Sequence, residues 1–238
     1  TGLPGGEIAF RNSGWTHGTA VAGIIAAKRN NGQGLVGVSP GVSLASWVIF
    51  DTNQQLVPEA ALKSMFEHAM DTVDVQNHSW GNLAGSQVAL RPLENLGISN
   101  AFHHGRSGTG TVMVRSGGNG RKGGGNVNDD GYANDPRVIA VGALIQSGRA
   151  TLRSDPGACL LVSAPTEDFA TNGIWTTDIT GMDGINQIGF LEPNEDLWDY
   201  RFNSIGFRDT SAAAPQISGL AALLLGVNPG LSPRDVQH

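Results

Sequence analysis

Three side chains in this 238-residue sequence have the types needed for acyl transfer: His17 in "HGTAVAG", Asn119 in "SGGNG" and Ser211 in "DTSAAAP". A serine hydroxyl is a weak nucleophile until an imidazole accepts its proton, and the oxyanion formed on attack at a carbonyl needs donors aimed at it. The first N–H groups of a helix have no intrahelical partner and lie at the positive end of its dipole. Ser211, placed at such an end, would offer both its hydroxyl and its own N–H to one carbonyl. Asn119 would add its side-chain amide from the other side. Ala212, Ala213 and Ala214 leave clearance for a substrate backbone and for the His17 ring. Pro215 is expected in the first turn, where its missing N–H costs little. Asp209 brings a negative charge close to where the oxyanion must form, so its carboxylate is expected to point away from Asn119 and to pair with Arg208 or another base.

These residues must be held by regular elements, and the sequence supplies them in alternation. "HGTAVAGIIAAKRN" reads as a helix ended by "NNGQG", and "VSLASWVIF" as a buried strand. "PEAALKSMFEHAMDTV" has helical spacing at Ala61, Leu62, Met65, Phe66 and Ala69. "VDVQNHSW" reads as a strand, residues 88 to 104 as a helix, and "TVMVRSG", "RVIAVGAL", "CLLVSAP" and "IWTTDI" as further strands. The order predicts an α/β fold with a mostly parallel sheet and helices on both faces, whose site lies at the carboxyl ends of the strands. Residues 181 to 207 show no period.

Several familiar motifs fail on context. "GQGLVG" has the glycines of a dinucleotide fingerprint, but it follows a helix rather than a strand, and "NGRKGGG" lacks the Ser or Thr and the leading Gly of a phosphate loop. No H-E-x-x-H helix occurs. His103 and His104, adjacent on a helix, point to different sides and read as a solvated helix end. Asn77-His78-Ser79 has the form of a glycosylation sequon but falls at the end of a buried strand. Cys159, the single cysteine, cannot form an internal disulfide and reads as a buried, inert thiol.

Composition narrows the class. A net charge of −6 with no basic cluster gives no electrostatic footprint for nucleic acid or an anionic membrane, so a peptide-like substrate fits better. The 34 glycines suit an enzyme that binds through tight turns and open backbone. The longest unbroken apolar run, "LAALLL", is far short of a membrane span. The chain begins without Met and ends on "SPRDVQH", and it reads as a single catalytic domain, residues 1–238, cut from a longer parent at both ends.

"HGTAVAG", "NHSWG", "SGGNG" and "DTSAAAP" stand in the order and approximate spacing of the subtilisin-like serine proteases, which the chain resembles along nearly its whole length. "SWG", "DGYAN" and "TSAAAP" resemble the kexin-like branch in particular. The resemblance implies a subtilisin-like, doubly wound sheet, with His17 as general base, Ser211 as nucleophile and Asn119 as oxyanion donor. It implies that Ser79, Trp80 and Gly81 bind an extended peptide as an added strand, and that Ser116, Gly117 and Gly118 line the pocket for the residue before the cut bond. It places Asp130 and Asp155 among the acidic groups that surround a basic side chain in kexin-like enzymes. It implies structural calcium at two separate places, with Asp155 as a ligand beside the pocket and Asn31 as a ligand in the turn after the His17 helix, and no organic cofactor. A protein or peptide substrate, a prodomain, a C-terminal β-domain in the parent chain and a secreted or periplasmic location follow from the same resemblance.

Departures from the pattern are specific. No Asp precedes His17, where the only acid is Glu7, so the third triad member is expected upstream in the parent protein. Ala84 and Gly125 stand where two further pocket carboxylates belong, which weakens selection for a basic residue and weakens the calcium site. Asp209 replaces the usual Gly before Thr-Ser. These departures sustain a second reading, a catalytically impaired module that binds extended peptides along residues 79 to 81.

Overall fold

The computed structural model describes residues 16–50, 55–81, 85–167, 173–180, 199–200 and 206–238. Glu7, Ala84 and most of the 181–207 stretch lie outside them. Four strands, β1 (Val75–His78), β2 (Val112–Ser116), β3 (Val138–Leu144) and β4 (Leu160–Pro165), form a sheet in the order β1-β2-β3-β4 with every pair parallel. Parallel neighbours need crossovers that cover the faces, so such strands are apolar on both sides. β2 is buried at every position.

The helices divide between the two faces. α2 (Glu59–Glu67) and α3 (Pro92–Gly108) pack on one side, where Leu62, Phe66 and Ile98 meet Met113, Tyr132 and Val138. α4 (Thr210–Val227) and the short α5 (Pro233–Gln237) cover the other, where Ala213, Ala214, Ala221 and Leu225 meet Val112, Val114, Ile139 and Val141. The alternation of Val112 and Val114 against Met113 shows β2 feeding both cores. α1 (His17–Ala26) lies against α4, sharing a small core of Ala20, Ile24, Phe207 and Ala212. The architecture is thus α/β, a parallel sheet flanked by helices on both faces.

Some predicted elements change. "VSLASWVIF" makes no strand: it pairs only through an isolated bridge from Phe50 to Leu56, with Leu44 and Val48 exposed. An apolar run becomes a strand only beside a partner, and among the described residues none flanks this one. "IWTTDI" is reduced to a single bridge, Ile174 to Phe207. α3 loses its helical dihedrals at Gly105, Arg106 and Ser107. There the buried Arg106 guanidinium leaves the helix to bond Asp74 (3.1 Å) and the carbonyls of Gly110 (3.1 Å), Leu231 (2.8 Å) and Pro229. α4 is longer and more apolar than "LAALLL" suggested: over its 18 residues it matches a membrane-spanning helix in length and composition, but 56% of it is buried against protein.

Candidate active site

β1 and β2 end side by side, and the residues just past their carboxyl ends are Ser79–Gly81 and Gly117–Asn119. The N-terminus of α4 reaches the same end of the sheet, where Thr210 bonds Asn119, and α1 packs against α4.

Ser211 is the second residue of α4 and half-buried. In the first turn, Thr210 N donates to Asn119 Oδ1 (3.0 Å), while Ala212 N and Ala213 N donate to Asp209 O (3.0 and 3.3 Å). Among the described residues nothing takes the Ser211 N–H, which leaves it as a donor for a bound oxygen. Asn119 Oδ1 also accepts from the Thr210 hydroxyl (2.6 Å). Because both Thr210 groups are donors, the side-chain oxygen must face them, and the amide nitrogen is turned to the other side. The Thr210 hydroxyl in turn accepts from Gly118 N (3.2 Å).

Pro215 lies inside α4 rather than in its first turn. Its missing N–H would leave Ser211 O without a partner, and the Ser79 hydroxyl fills that role at 3.1 Å. Ser79 Oγ accepts from Asn77 Nδ2 (3.0 Å), and Asn77 Oδ1 accepts from the Ser218 hydroxyl (2.8 Å). The Asn77 side chain is therefore an internal brace between β1 and α4. Ser116 Oγ bridges the carbonyls of His78 and Trp80 (3.4 and 3.3 Å), joining the end of β2 to the same segment. Gly81 is exposed and Trp80 is half-buried.

His17 opens α1, and its ring meets Phe207 edge-on with centroids 5.1 Å apart. The hydroxyls of Thr176 and Thr177 hold that helix by donating to the carbonyls of Ala20 (2.5 Å) and Thr19 (2.7 Å). The shared Ala20, Phe207 and Ala212 core brings the His17 and Ser211 helix ends together. No hydrogen bond joins the two side chains, as is common before a substrate draws a catalytic pair together. Lost hydration against the packed atoms lowers the His17 pKa, while the residue as a whole keeps surface open to solvent. Among the described residues no carboxylate acts on it.

Asp209 stands at the N-cap of α4 with φ 65° and ψ −171°, and its side chain makes no capping bond. Its carboxylate lies 3.4 Å from Arg153 Nε.

The two carboxylates expected at the pocket differ in kind. Asp130 is bound by the Arg115 guanidinium at 2.7 Å and accepts from Tyr132 N (2.9 Å) and Ala133 N (3.0 Å). Burial alone would raise its pKa, but the charge and hydrogen bond of Arg115 with those N–H groups bring it below the usual range. Arg115 is 1% exposed and lies 4.3 Å from the ring centroids of both Trp80 and Tyr132. Beside it, burial and then the Arg115 charge lower the His78 pKa to about 3. Asp155 is buried with no hydrogen-bond partner for Oδ1, and desolvation raises its pKa against the opposing pull of Gly120 N–H and Arg121. It lies so close to Gly118 (φ 102°) that a Cβ there would meet Asp155 Oδ2 at 2.4 Å, and one at Gly125 would meet Oδ1 at 2.5 Å. Gly117 is buried, with its N–H donating to Val141 O (2.9 Å).

The two residues proposed for calcium belong to separate places, Asn31 after α1 and Asp155 beside Gly118. Asn31 is exposed, with Oδ1 accepting from Gln33 N (3.1 Å) in a local turn. Among the described residues no group of three or more His, Cys, Asp or Glu side chains could hold a metal ion. His103 and His104 are exposed. Cys159 is half-buried rather than buried, packed by Val127, Ala133 and Ala140, and desolvation raises its pKa so that the thiol stays protonated.

Sequence reasoning missed Thr210, Arg115 and Arg153. Arg115 left a signal, as a lone charge inside an apolar strand. The need for a donor to Ser211 O was also implicit in Pro215, four residues on.

Compared with known proteins, residues 6–238 match the sequence model described as "Subtilase family". A "Calcium-dependent protease" of Trichormus variabilis is 34% identical over 230 residues, covering 90% of this chain and 33% of the relative. "Proprotein convertase subtilisin/kexin type 7" of Mus musculus is 32% identical over 228 residues, covering 93% of this chain and 27% of the relative. The chain thus spans a third or less of the length of these two relatives. Among solved structures, the Aeromonas sobria serine protease in complex with its chaperone ORF2 superposes with a TM-score of 0.79 at 23% identity, covering 95% of this chain and 42% of that one. Fervidolysin from Fervidobacterium pennivorans, a keratinolytic enzyme related to subtilisin, superposes with a TM-score of 0.66 at 30% identity, covering 94% and 32%.

Proposed function

The chain belongs to the subtilase family, and from that premise we propose that it is the peptidase domain of a serine endopeptidase working through an acyl-enzyme. Ser211 Oγ attacks the peptide carbonyl while His17 takes its proton and later delivers it to the leaving amine. The Ser211 N–H and the Asn119 side-chain amide receive the oxyanion. The extended substrate pairs with Ser79–Gly81, while Ser116, Gly117 and Gly118 wall the pocket for the residue before the cut bond. The observation that carries this reading is the bonding of Asn119 Oδ1 to Thr210, which turns the amide nitrogen away from Thr210 beside an open Ser211 N–H. The test is Ser211→Ala in the full-length protein: peptide cleavage is expected to fall to background, and cleavage left intact would reject the reading.

One observation favours a second reading, the peptide-binding module. Among the described residues no carboxylate orients His17, and the loss of that partner in subtilisin, a member of the same family, costs about 3 × 10⁴ in turnover. A full-length protein that binds extended peptides along residues 79–81 without cutting them would establish it.

Within the enzyme reading, the pairing of Asp130 with Arg115 supports apolar or mixed specificity over a basic-residue convertase. Peptides ending in Arg and in Leu before the scissile bond are expected to be cut at comparable rates, and a strong Arg preference would restore the convertase reading. Structural calcium would need donors beyond Asn31 and Asp155, and no step of the mechanism depends on it. A prodomain, a C-terminal β-domain and a secreted or periplasmic setting remain part of the same proposal for the parent protein. So does the assignment of residues 1–238 to one catalytic domain.

A further inference from the structure

Asp209 is the residue that the protease reading leaves unexplained. Its φ of 65° with ψ −171° falls in a region that is essentially reserved for glycine, directly before the nucleophile's helix. Its ψ is that of an ordinary N-cap, and aspartate is among the preferred N-caps, its side chain accepting from the second or third N–H of the helix. In α4 the second residue is Ser211. The N–H that Asp209 would cap is thus the one that the oxyanion requires. The side chain makes no such bond and lies instead 3.4 Å from Arg153 Nε, with 14% of it exposed. The main chain of Arg153 is anchored, while its side chain is 39% exposed. Its carbonyl accepts from Arg121 N (3.2 Å), and two residues on, Asp155 N donates to Gly118 O (3.1 Å), so one loop braces the Asn119 turn from both sides.

We propose that Arg153 is a positioning residue that draws the Asp209 carboxylate off the N-terminus of α4 and so keeps the Ser211 N–H open for the oxyanion. The proposal rests on the reading of Ser211 as nucleophile. With Arg153 gone, the carboxylate turns onto Ser211 N–H, consuming a donor and adding negative charge where negative charge must develop.

The test compares Arg153→Ala, Arg153→Lys and the double variant Arg153→Ala with Asp209→Gly in the full-length protein. Arg153→Ala is expected to lower kcat about 10²-fold, the scale of losing one oxyanion donor, with KM changed less than about threefold. Arg153→Lys is expected to keep most of the activity, and the double variant, which has no carboxylate to misplace, to recover it. A crystal structure of Arg153→Ala is expected to show Asp209 accepting from Ser211 N. Unchanged kcat in Arg153→Ala, a double variant as slow as the single one, or a carboxylate turned to solvent in that crystal structure would overturn the proposal. Failure of the wild-type protein to cut any peptide would reject the protease reading instead, and the crystal structure would still decide where Arg153 holds Asp209.

Discussion

Asn119 and Thr210 are locked together twice: Asn119 Oδ1 accepts from the Thr210 N–H at 3.0 Å and from its hydroxyl at 2.6 Å. One bond fixes the turn after β2 against the start of α4, and the other fixes which end of the Asn119 amide is turned away from Thr210. The Thr210 hydroxyl, fully buried, also accepts from Gly118 N, so a single oxygen positions both the proposed pocket wall and the proposed oxyanion donor.

Thr210→Val keeps the shape and removes that oxygen. Gly118 N then loses its partner and Asn119 keeps only one of its two donors, which allows the amide to turn. The expected result is a fall in kcat of about tenfold with a smaller change in KM, while Thr210→Ser stays near wild type. Steady-state kinetics on one peptide decides it, and an unchanged kcat in the valine variant would show that Asn119 needs no such lock.

The pH dependence follows from His17. In its proposed role as general base His17 works as neutral imidazole, and desolvation lowers its pKa from 6.5. A base with a depressed pKa stays competent below that value and is lost as pH falls through the lowered one, so the acid limb of kcat/KM is expected below pH 6.5. An acid limb above 6.5 would instead reveal a carboxylate, outside the described residues, stabilising the imidazolium.

Much of this arrangement was legible because helix ends and strand ends carry local signals. "TVMVRSG" gives β2 and "DTSAAAP" gives the start of α4, so the positions of Asn119 and Ser211 relative to regular elements follow from pattern alone. "VSLASWVIF" failed for the opposite reason, since apolarity marks a segment able to pair and says nothing of whether a neighbour is there. Thr210 and Arg153 were illegible because their roles depend on contacts across 91 and 56 positions respectively. Asp209 was readable as an oddity but not as a solved one, because the loop carrying its counter-ion is distant in sequence.

Arg115 and Asp130 carry the last prediction. Arg115 Nη2 bonds Asp130 Oδ2 at 2.7 Å, while Arg115 Nε and Nη1 are buried without hydrogen-bond partners. The guanidinium compensates for those open donors by lying against the Trp80 and Tyr132 rings, and a Cβ at Gly81 would sit 3.9 Å from both Arg115 Nη2 and Asp130 Oδ2. The pair thus lies directly beneath Gly81 in the proposed substrate segment. Removing one partner strands a buried charge, so Arg115→Met alone is expected to cost about 3–5 kcal/mol. Asp130→Asn keeps the Oδ1 acceptor for Tyr132 N and Ala133 N, so the double variant is expected to cost clearly less than the sum of the singles. Urea unfolding of the four proteins measures the coupling. Strictly additive losses would mean that the aromatic stacking, rather than the ion pair, holds Arg115 under Gly81.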